Sequence, residues 1–313
     1  MNDHASDRHA LDRRALGRAL SRIANASVAE VVAMIDNMPV RRARRIGLTG
    51  PPGVGKSSLC GRIAVQRLQR GRIGVLAIDP SSPRSGGAIL GDRIRIDELE
   101  SAGDLFVRSL ASRSMDNGLS DNLPELLAVM DEHHFDEIIV ETVGVGQAEY
   151  AARSEVDTLV LIVIPETGDV IQAMKAGIME LADIYVVNKA DLAGAPKIAS
   201  EIKRILNFTA NGREGWMPPV LLTSIQDAAS IDRLSIEIDR HQAWLQQAGL
   251  DQRRRIERAR YRLRSLLARQ AVELVAGLPD HFFDQAFRLQ YDGALESIRS
   301  TQSAVPSRES PAV

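Results

Sequence analysis

Short apolar segments recur along the chain at intervals that suit the strands of a buried sheet. The segments IGVLAID and EIIVET are almost continuously apolar and end in an acid or beside one, which is typical of strands buried on both faces. Helical patterns or glycine-rich loops separate most of the segments, so we predict an α/β fold with a doubly wound, mostly parallel sheet. The segments are residues 46–49, 73–79, 105–110, 137–142, 158–164, 184–188 and 219–223.

Helical patterns extend the chain on both sides of this α/β region. Two of them lie within residues 8–37, and two further apolar stripes beyond residue 250 are separated by Gly277 and Pro279, which predicts a hairpin. The polar end of the chain has the composition of a disordered tail. The predicted units are an N-terminal helical extension (1–45), a P-loop nucleotide-binding domain (46–249), a C-terminal helical hairpin (250–300) and a tail (301–313).

The hairpin carries more apolar surface than it can bury alone. Three of the six phenylalanines, Phe282, Phe283 and Phe287, fall in its predicted second helix. A homodimer contact would cover them. The alternative is that the hairpin folds back on its own sheet.

Composition narrows the class of protein. With 313 residues, 44% of them hydrophobic, the chain can bury one large core, and its net charge of −2 gives no support for a nucleic-acid or membrane surface. The basic run Arg41, Arg42, Arg44 and Arg45 is expected to be a solvated segment before the first strand. A polar N-terminus and the lack of a long apolar stretch favour a cytoplasmic location. The single cysteine, Cys60, is expected to be a small buried hydrophobe.

Residues 50–57 read GPPGVGKS, the pattern of a phosphate-binding loop. A strand ends before it and a helix follows, so flexible glycines and free helix N–H groups surround one anion site. Lys56 would contact the β- and γ-phosphates of a nucleotide, and the Ser57 hydroxyl would bind Mg²⁺. The predicted nucleotide contacts here are Gly50, Pro51, Pro52, Gly53, Val54, Gly55, Lys56, Ser57 and Ser58.

The segment VVNKAD at 186–191 carries the N-K-x-D signature of a guanine site. The Asp191 carboxylate can accept from the ring N1–H and the exocyclic amine, a pair of donors that adenine lacks. Lys189 can lie along the base while Asn188 braces the loop, so GTP should be preferred over ATP. Downstream, PVLLTSIQD is placed like the last loop around guanine, with a backbone N–H near Ser224 or Ile225.

Three acids near the phosphate loop are candidate magnesium ligands, because Mg²⁺ requires hard oxygen atoms. Asp79 ends the second apolar segment, Asp92 follows a glycine-rich stretch, and Glu141 lies near the end of the fourth segment. GTPases ordinarily carry Asp-x-x-Gly at this last position. Here Glu141 begins Glu-Thr-Val-Gly, and the N–H of Gly144 is available to the γ-phosphate.

Three segments together resemble one family. They are DPSSPRSGGAILGDR at 79–93, ETVGVGQAE at 141–149 and ELADIYVVNKAD at 180–191, and they are similar to the MeaB/ArgK-like GTPases, which include the methylmalonic aciduria type A protein. The resemblance covers roughly residues 10 to 300. It implies a homodimeric P-loop GTPase of the SIMIBI class that acts as a chaperone for an adenosylcobalamin-dependent acyl-CoA mutase, in cofactor loading, protection and reactivation.

The resemblance also implies roles for single residues. The acids that match Asp79, Asp92 and Glu141 serve Mg²⁺ and its water. The segment TGDVIQAMKAG at 167–177 resembles an additional switch that couples nucleotide state to the mutase, so Asp169, Gln172 and Lys175 are candidates, Lys175 also for catalysis. Where relatives carry RGHLGGLS, this chain reads RSMDNGLS at 113–120, which leaves the identity of the mutase open.

The predicted reaction is in-line attack of water on GTP, without a protein nucleophile. Arg84, Arg93, Arg108 and Arg113 lie in the switch-like region, and since none is identified as an arginine finger, turnover should be slow. Three alternatives stay open. One is a kinase of a transport protein, which would prefer ATP. A second is a metal-insertion GTPase, although the chain offers only the pair His133-His134. The third is a scaffold that binds GTP without hydrolysis.

Overall fold

Each of the seven apolar segments forms a strand of one sheet, as the pattern predicts. The computed structural model describes residues 11–35, 43–80, 103–112, 122–142, 153–165, 182–209 and 215–303. The strands are β1 (Arg44–Thr49), β2 (Ile73–Pro80), β3 (Leu105–Ser112), β4 (Glu137–Glu141), β5 (Thr158–Val163), β6 (Ile184–Val187) and β7 (Val220–Leu222).

The strand order places the end of β1 at the centre of the sheet. All pairs are parallel and the order is β3-β2-β4-β1-β5-β6-β7. The chain therefore winds to one side of β1 through β2, β3 and β4, and to the other through β5, β6 and β7. Ligands of such sheets bind at the carboxyl ends of the strands where the winding direction reverses, which here is the end of β1.

Helices cover both faces of the sheet and extend the chain at its ends. They are α1 (Arg13–Ala24), α2 (Val28–Ile35), α3 (Lys56–Arg67), α4 (Leu123–Glu132), α5 (Ala195–Thr209), α6 (Ala228–Gln247), α7 (Asp251–Ala276) and α8 (Phe287–Ser303). None of the helices in the described ranges is both long and apolar enough to cross a bilayer.

Two apolar layers form the core, one on each face of the sheet. On one face, side chains of β1 and β5 such as Leu48 and Ile162 pack with Leu59 of α3 and Leu234 of α6. On the other, Leu161, Tyr185 and Val187 pack with Ile202 and Leu206 of α5. Side chains of one strand alternate between these layers, which explains the continuous apolar strand sequences.

The N-terminal helices pack against the edge of the sheet nearest β3. Asn122, at the start of α4, donates to the carbonyl groups of Ile23 and Ala26. Arg108 on β3 donates to the hydroxyl of Ser21 at 2.7 Å. One of the four arginines considered for the γ-phosphate thus has its guanidinium bonded to α1.

Within the predicted basic run, Arg44 is exposed as expected but Arg45 is not, and Arg41 and Arg42 lie outside the described residues. Strand β1 begins at Arg44, and Arg45 is only 4% exposed. Its guanidinium is paired with Asp131 at 2.9 Å and Glu155 at 3.0 Å. Both carboxylates lie more than 80 residues away along the chain, so a local reading of charge could not find them.

The described residues from Arg258 to Ser303 belong to a second compact unit. Helix α7 ends at Ala276, directly before Gly277, as predicted, and α8 continues to Ser303, three residues into the expected tail. Phe282 and Phe283 do not lie in the second helix as expected; they lie in a 3₁₀ turn, Asp280–Asp284, that follows Pro279. None of the described side chains from Arg258 to Ile298 is buried.

Candidate functional site

The predicted phosphate loop connects β1 to α3, and at two of its three glycines with positive φ a side chain would also meet other atoms. Gly50 has φ +148°, and a Cβ there would lie 2.1 Å from the carbonyl oxygen of Ile162 on β5. Gly55 has φ +87° and caps α3, and a Cβ there would lie 2.7 Å from Nδ2 of Asn188. L-residues with side chains rarely adopt such φ values, so the loop conformation depends on these two glycines.

Lys56 and Ser57 begin the helix and turn their polar atoms toward the loop and its neighbour strand. The Lys56 ammonium donates to the carbonyl groups of Gly50 and Pro51, each at 2.9 Å, so it lies across the mouth of the loop. The Ser57 hydroxyl donates to Oε1 of Glu141 at 2.6 Å. A hydroxyl and a carboxylate thus meet at the end of β4, and both are hard oxygen donors of the kind that Mg²⁺ binds.

Buried residues lie close along the chain to Lys56 and Glu141. Thr142 donates its hydroxyl to that of Thr49 at 3.0 Å, which ties the ends of β4 and β1 together. Cys60, one turn along α3 from Lys56, is fully buried, as predicted. Burial raises the pKa of the Cys60 thiol, and the negative charge of Glu141 raises it further. A protonated, buried thiol is a poor nucleophile and a poor metal ligand.

Asn188, at the end of β6, joins three loops. Its Nδ2 donates to the carbonyl of Val54 in the phosphate loop at 2.8 Å, and its Oδ1 accepts from the hydroxyl of Thr223 at 3.1 Å. Its backbone N–H donates to Val163. The bracing predicted for Asn188 is thus present, and it connects the phosphate loop with both loops of the guanine motif.

The other guanine-motif residues gather around the same point. Lys189 has φ +52°, a conformation that non-glycine residues adopt mostly where surrounding contacts impose it, and its ammonium donates to Gly53 at 3.2 Å. The exposed Asp191 accepts at Oδ1 from the Ser224 hydroxyl at 2.9 Å, which orients the carboxylate.

The last guanine loop, which follows β7, is held by residues outside the N-K-x-D motif. The Ser224 N–H donates to the hydroxyl of Ser230, which donates in turn to Asp227, the N-cap of α6. Of the two predicted amide donors, Ile225 is the one for which the described part of the chain offers no internal acceptor. The sequence motif did not identify Thr223 and Ser230 as residues of the site. The Thr-Ser dipeptide before Ile225 was the sequence signal that could have pointed to this loop.

The structure brings most of the predicted site together and leaves part of it outside the described residues. The phosphate loop, Glu141 and the residues around Asn188 converge at the carboxyl ends of β1, β4 and β6. Asp79 is the second-last residue of β2, the strand next to β4, but its side chain lies outside the description. The other predicted residues outside the described ranges are Asp92, Gly144, Asp169, Gln172, Lys175, Arg84, Arg93 and Arg113.

Comparison with known proteins decides the family. The model of the family described as methylmalonyl Co-A mutase-associated GTPase MeaB matches residues 16–279. The chain belongs to the MeaB family. Its all-parallel sheet with helices on both faces agrees with the doubly wound α/β fold that the sequence predicted. The protein is therefore a GTP hydrolase, a function that its relatives' names share.

Two relatives show how much of the chain the similarity covers. A protein of Pyrococcus horikoshii that bears the name of a GTPase is 38% identical over 261 residues, which is 82% of each chain. The mouse protein named methylmalonic aciduria type A homolog, mitochondrial, is 36% identical over 194 residues, 61% of this chain and 47% of that one.

The fold of this MeaB-family chain is also found in a solved structure. The crystal structure titled LAO/AO transport system kinase has a TM-score of 0.67 and 24% sequence identity, over 92% of this chain and 94% of that one. At this identity the likeness shows the fold alone. The described residues contain no group of three or more His, Cys, Asp or Glu that could hold a metal ion.

Proposed function

We propose that this protein is a Mg²⁺-dependent GTPase that acts as a chaperone for an adenosylcobalamin-dependent acyl-CoA mutase. The observation that carries the catalytic part is the meeting of Ser57 and Glu141 at 2.6 Å beside the phosphate loop. These two residues, with Asp79 and Asp92, would hold the metal. Mg²⁺ would neutralise charge that develops on the β- and γ-phosphates during transfer.

The protein's own groups bind and orient the nucleotide. The loop from Gly50 to Ser58 surrounds the phosphates with N–H groups, and Lys56 adds a cation that now rests on two loop carbonyls and can turn to an anion. Asp191 accepts from guanine, Lys189 lies along the base, and Ile225, more readily than Ser224, donates its N–H. The segment after β4 contributes the Gly144 N–H to the γ-phosphate, and Lys175 adds positive charge.

Phosphate release from GTP by the purified protein tests this site. Lys56→Ala should lower kcat at least about a hundredfold, because a charge-assisted contact to the transferring phosphate is lost. Lys203→Ala removes an exposed lysine from α5 and serves as the matched control, with unchanged turnover expected. An unchanged rate in Lys56→Ala would reject the proposed active site, and a wild-type protein that binds GTP without phosphate release would favour the scaffold.

The family name supports the mutase as partner. Purified protein loaded with a non-hydrolysable GTP analogue should retain a cobalamin-binding mutase from an extract of the source cell, and GDP-loaded protein should retain less of it. The captured mutase should lose activity more slowly during turnover when the chaperone and GTP are present. Equal inactivation with and without the chaperone would contradict the proposed role.

We place the homodimer contact on the C-terminal helices. Phe287 is 79% exposed, and Leu289 and Tyr291 are 60% and 58% exposed, in a unit whose described side chains include none that is buried. Association would remove this apolar surface from water. Phe287→Asp should convert a dimer to a monomer in sedimentation velocity, whereas Phe208→Asp, a matched control on α5 with 83% exposure, should not. A monomeric wild type at micromolar concentration would reject the dimer.

A further inference from the structure

Arg67, in the last turn of α3, is a fully buried arginine whose donors are all engaged. Its Nε donates to Oε2 of Glu137 at 2.5 Å and its Nη2 to Oε1 of the same residue at 2.7 Å. The second hydrogen of Nη2 reaches Asp239 at 2.8 Å. Nη1 donates to the hydroxyl and the carbonyl of Ser235 at 2.8 and 3.2 Å. The five N–H groups of the guanidinium therefore all have acceptors.

The main acceptor, Glu137, is the first residue of β4 and is also fully buried. It lies in the centre of the sheet, in register with Arg44 on β1 and Ile73 on β2. Arg44 adds a third ionic contact to it, at 3.0 Å. Burial lowers the pKa of Arg67, but the carboxylates of Glu137 and Asp239 raise it by more, so the guanidinium stays charged.

Helix α3 and strand β4 are therefore connected at both ends. At the nucleotide end, Ser57 on α3 donates to Glu141 on β4; at the opposite end, Arg67 on α3 makes a bidentate pair with Glu137 on β4. Ten helical residues span about 15 Å and four strand residues about 13 Å, so the two connections lie at matching distances along both elements. Since Arg67 is buried and rigidly paired, the helix cannot slide along the strand without breaking this pair.

This alignment bears on the proposed metal site, because one of its oxygen ligands is on the helix and another is on the strand. Mg²⁺ demands near-ideal octahedral geometry at about 2.0–2.1 Å, so a small slide of α3 along β4 would misplace Ser57 relative to Glu141. We infer that Arg67 is a positioning residue for the magnesium site, about 15 Å from it, and that it acts through the alignment of α3 with β4. The inference rests on the proposed Mg²⁺-dependent function.

A purely structural role for Arg67 makes a different prediction. Buried ion pairs are weak evidence for stability, and breaking one destabilises the fold wherever it lies. Arg45 offers a matched comparison, because it is also a buried arginine paired with two carboxylates, Asp131 and Glu155, but it does not contact α3 through those pairs. Lysine at either position keeps the charge and loses the fixed, planar set of guanidinium donors, so Arg67→Lys and Arg45→Lys are both expected to fold.

The test is a Mg²⁺ titration of the binding of fluorescent N-methylanthraniloyl-GDP, which does not depend on catalysis. In Arg67→Lys, the Mg²⁺ concentration for half-maximal binding should rise about tenfold, which is the low end of the affinity that a metal site loses with an orienting partner. In Arg45→Lys, this concentration should stay within about twofold of the wild-type value. Glu137→Gln, which removes one acceptor of the same pair, should change it in the same direction as Arg67→Lys. Thermal unfolding should show similar losses of stability in the two lysine variants.

The possible results separate the two ideas. An Mg²⁺ midpoint that is unchanged in both Arg67→Lys and Glu137→Gln, or that moves equally in Arg45→Lys, would overturn the positioning role and leave Arg67 as part of the core. Wild-type protein whose GDP affinity does not respond to Mg²⁺ would instead reject the proposed function, and the inference with it.

Discussion

Replacing Asn188 by alanine should loosen the nucleotide site without touching the nucleotide's own predicted contacts at Asp191 or Lys56. Asn188 is 2% exposed, and its side chain joins Val54 in the phosphate loop to Thr223 in the last guanine loop. Asn188→Ala removes both hydrogen bonds at once. It also leaves a buried carbonyl and a buried hydroxyl without the partner that satisfies them.

The size of the effect follows from these two groups. Each buried polar group left unsatisfied costs about 1–3 kcal/mol, so we expect about 3 kcal/mol of lost unfolding free energy. For a domain of this size that corresponds to roughly 6–12 °C in Tm. The two loops must also be ordered when GDP binds, and about 1.4 kcal/mol spent on that ordering lowers GDP affinity about tenfold.

Urea unfolding measures the first quantity, and isothermal titration calorimetry with GDP and Mg²⁺ measures the second. The matched control is Asn122→Ala, because Asn122 is equally buried at 2% and its side chain also makes two hydrogen bonds, to the carbonyl groups of Ile23 and Ala26 at the N-terminal helices. It should lose comparable stability and keep wild-type GDP affinity. Thr223→Val, which removes only one of the two Asn188 bonds, should cost about 1 kcal/mol of stability.

Wild-type GDP affinity in Asn188→Ala would refute this reasoning, since the connected loops would then not need Asn188 to bind nucleotide. Equal weakening in Asn122→Ala would refute it as well. In that case the loss of affinity would follow from lower stability of the whole domain rather than from the junction of the three loops.

Three other substitutions test the site and the sheet around it. Asp191→Asn should weaken GDP binding by about 1.5–3 kcal/mol and strengthen binding of xanthosine diphosphate, whose 2-carbonyl accepts from an amide, as calorimetry with both nucleotides would show; equal affinity for GDP before and after the change would contradict the guanine assignment. Gly55→Ala should abolish GDP binding in the same assay, because a Cβ would lie 2.7 Å from Asn188 at a φ of +87°, and a variant that binds normally would contradict the loop geometry. Asp183→Asn should cost about 3 kcal/mol at pH 7. Burial raises the pKa of Asp183, but His241, whose Nε2 lies 3.3 Å from Oδ1 of Asp183, and the nearby arginines lower it by more. This stabilisation is therefore present above the unfolded pKa of about 3.9 and is lost as pH falls through the lower folded value. The free energies of unfolding of the variant and the wild type, measured in urea, should become equal only below about pH 4. Equal values already at pH 6 would count against the argument.

Local sequence predicted the strands and the motif residues because their causes are local. A strand buried on two faces must be mostly apolar, and β4, β5 and β6 are buried at every position. All seven predicted segments form strands whose ends differ from the prediction by a few residues at most. The phosphate loop depends on glycine at fixed positions, and the geometry at Gly50 and Gly55 confirms that need. The N-K-x-D motif likewise specifies its own loop.

The contacts that sequence could not predict join residues that are distant along the chain. Arg45 looked like part of a solvated basic run, because Asp131 and Glu155 lie 86 and 110 residues away and only the parallel sheet brings them together. The ion pair of Arg67 could not be predicted for the same reason, because its partner Glu137 lies 70 residues away along the chain. Phe282 and Phe283 followed helical spacing, but Pro279 begins a separate 3₁₀ turn before α8. The periodicity of apolar residues indicates which face of a helix or strand a residue occupies, but it does not identify the residue's partner.

The burial of Cys60 also makes this protein convenient for labelling experiments. It is the chain's single cysteine, and its thiol is both fully covered and kept protonated. A maleimide dye should therefore ignore the native protein. One cysteine introduced at an exposed site, such as Phe208 on α5, would then carry the only fluorophore, so conformational changes on nucleotide exchange can be followed without first removing a native thiol.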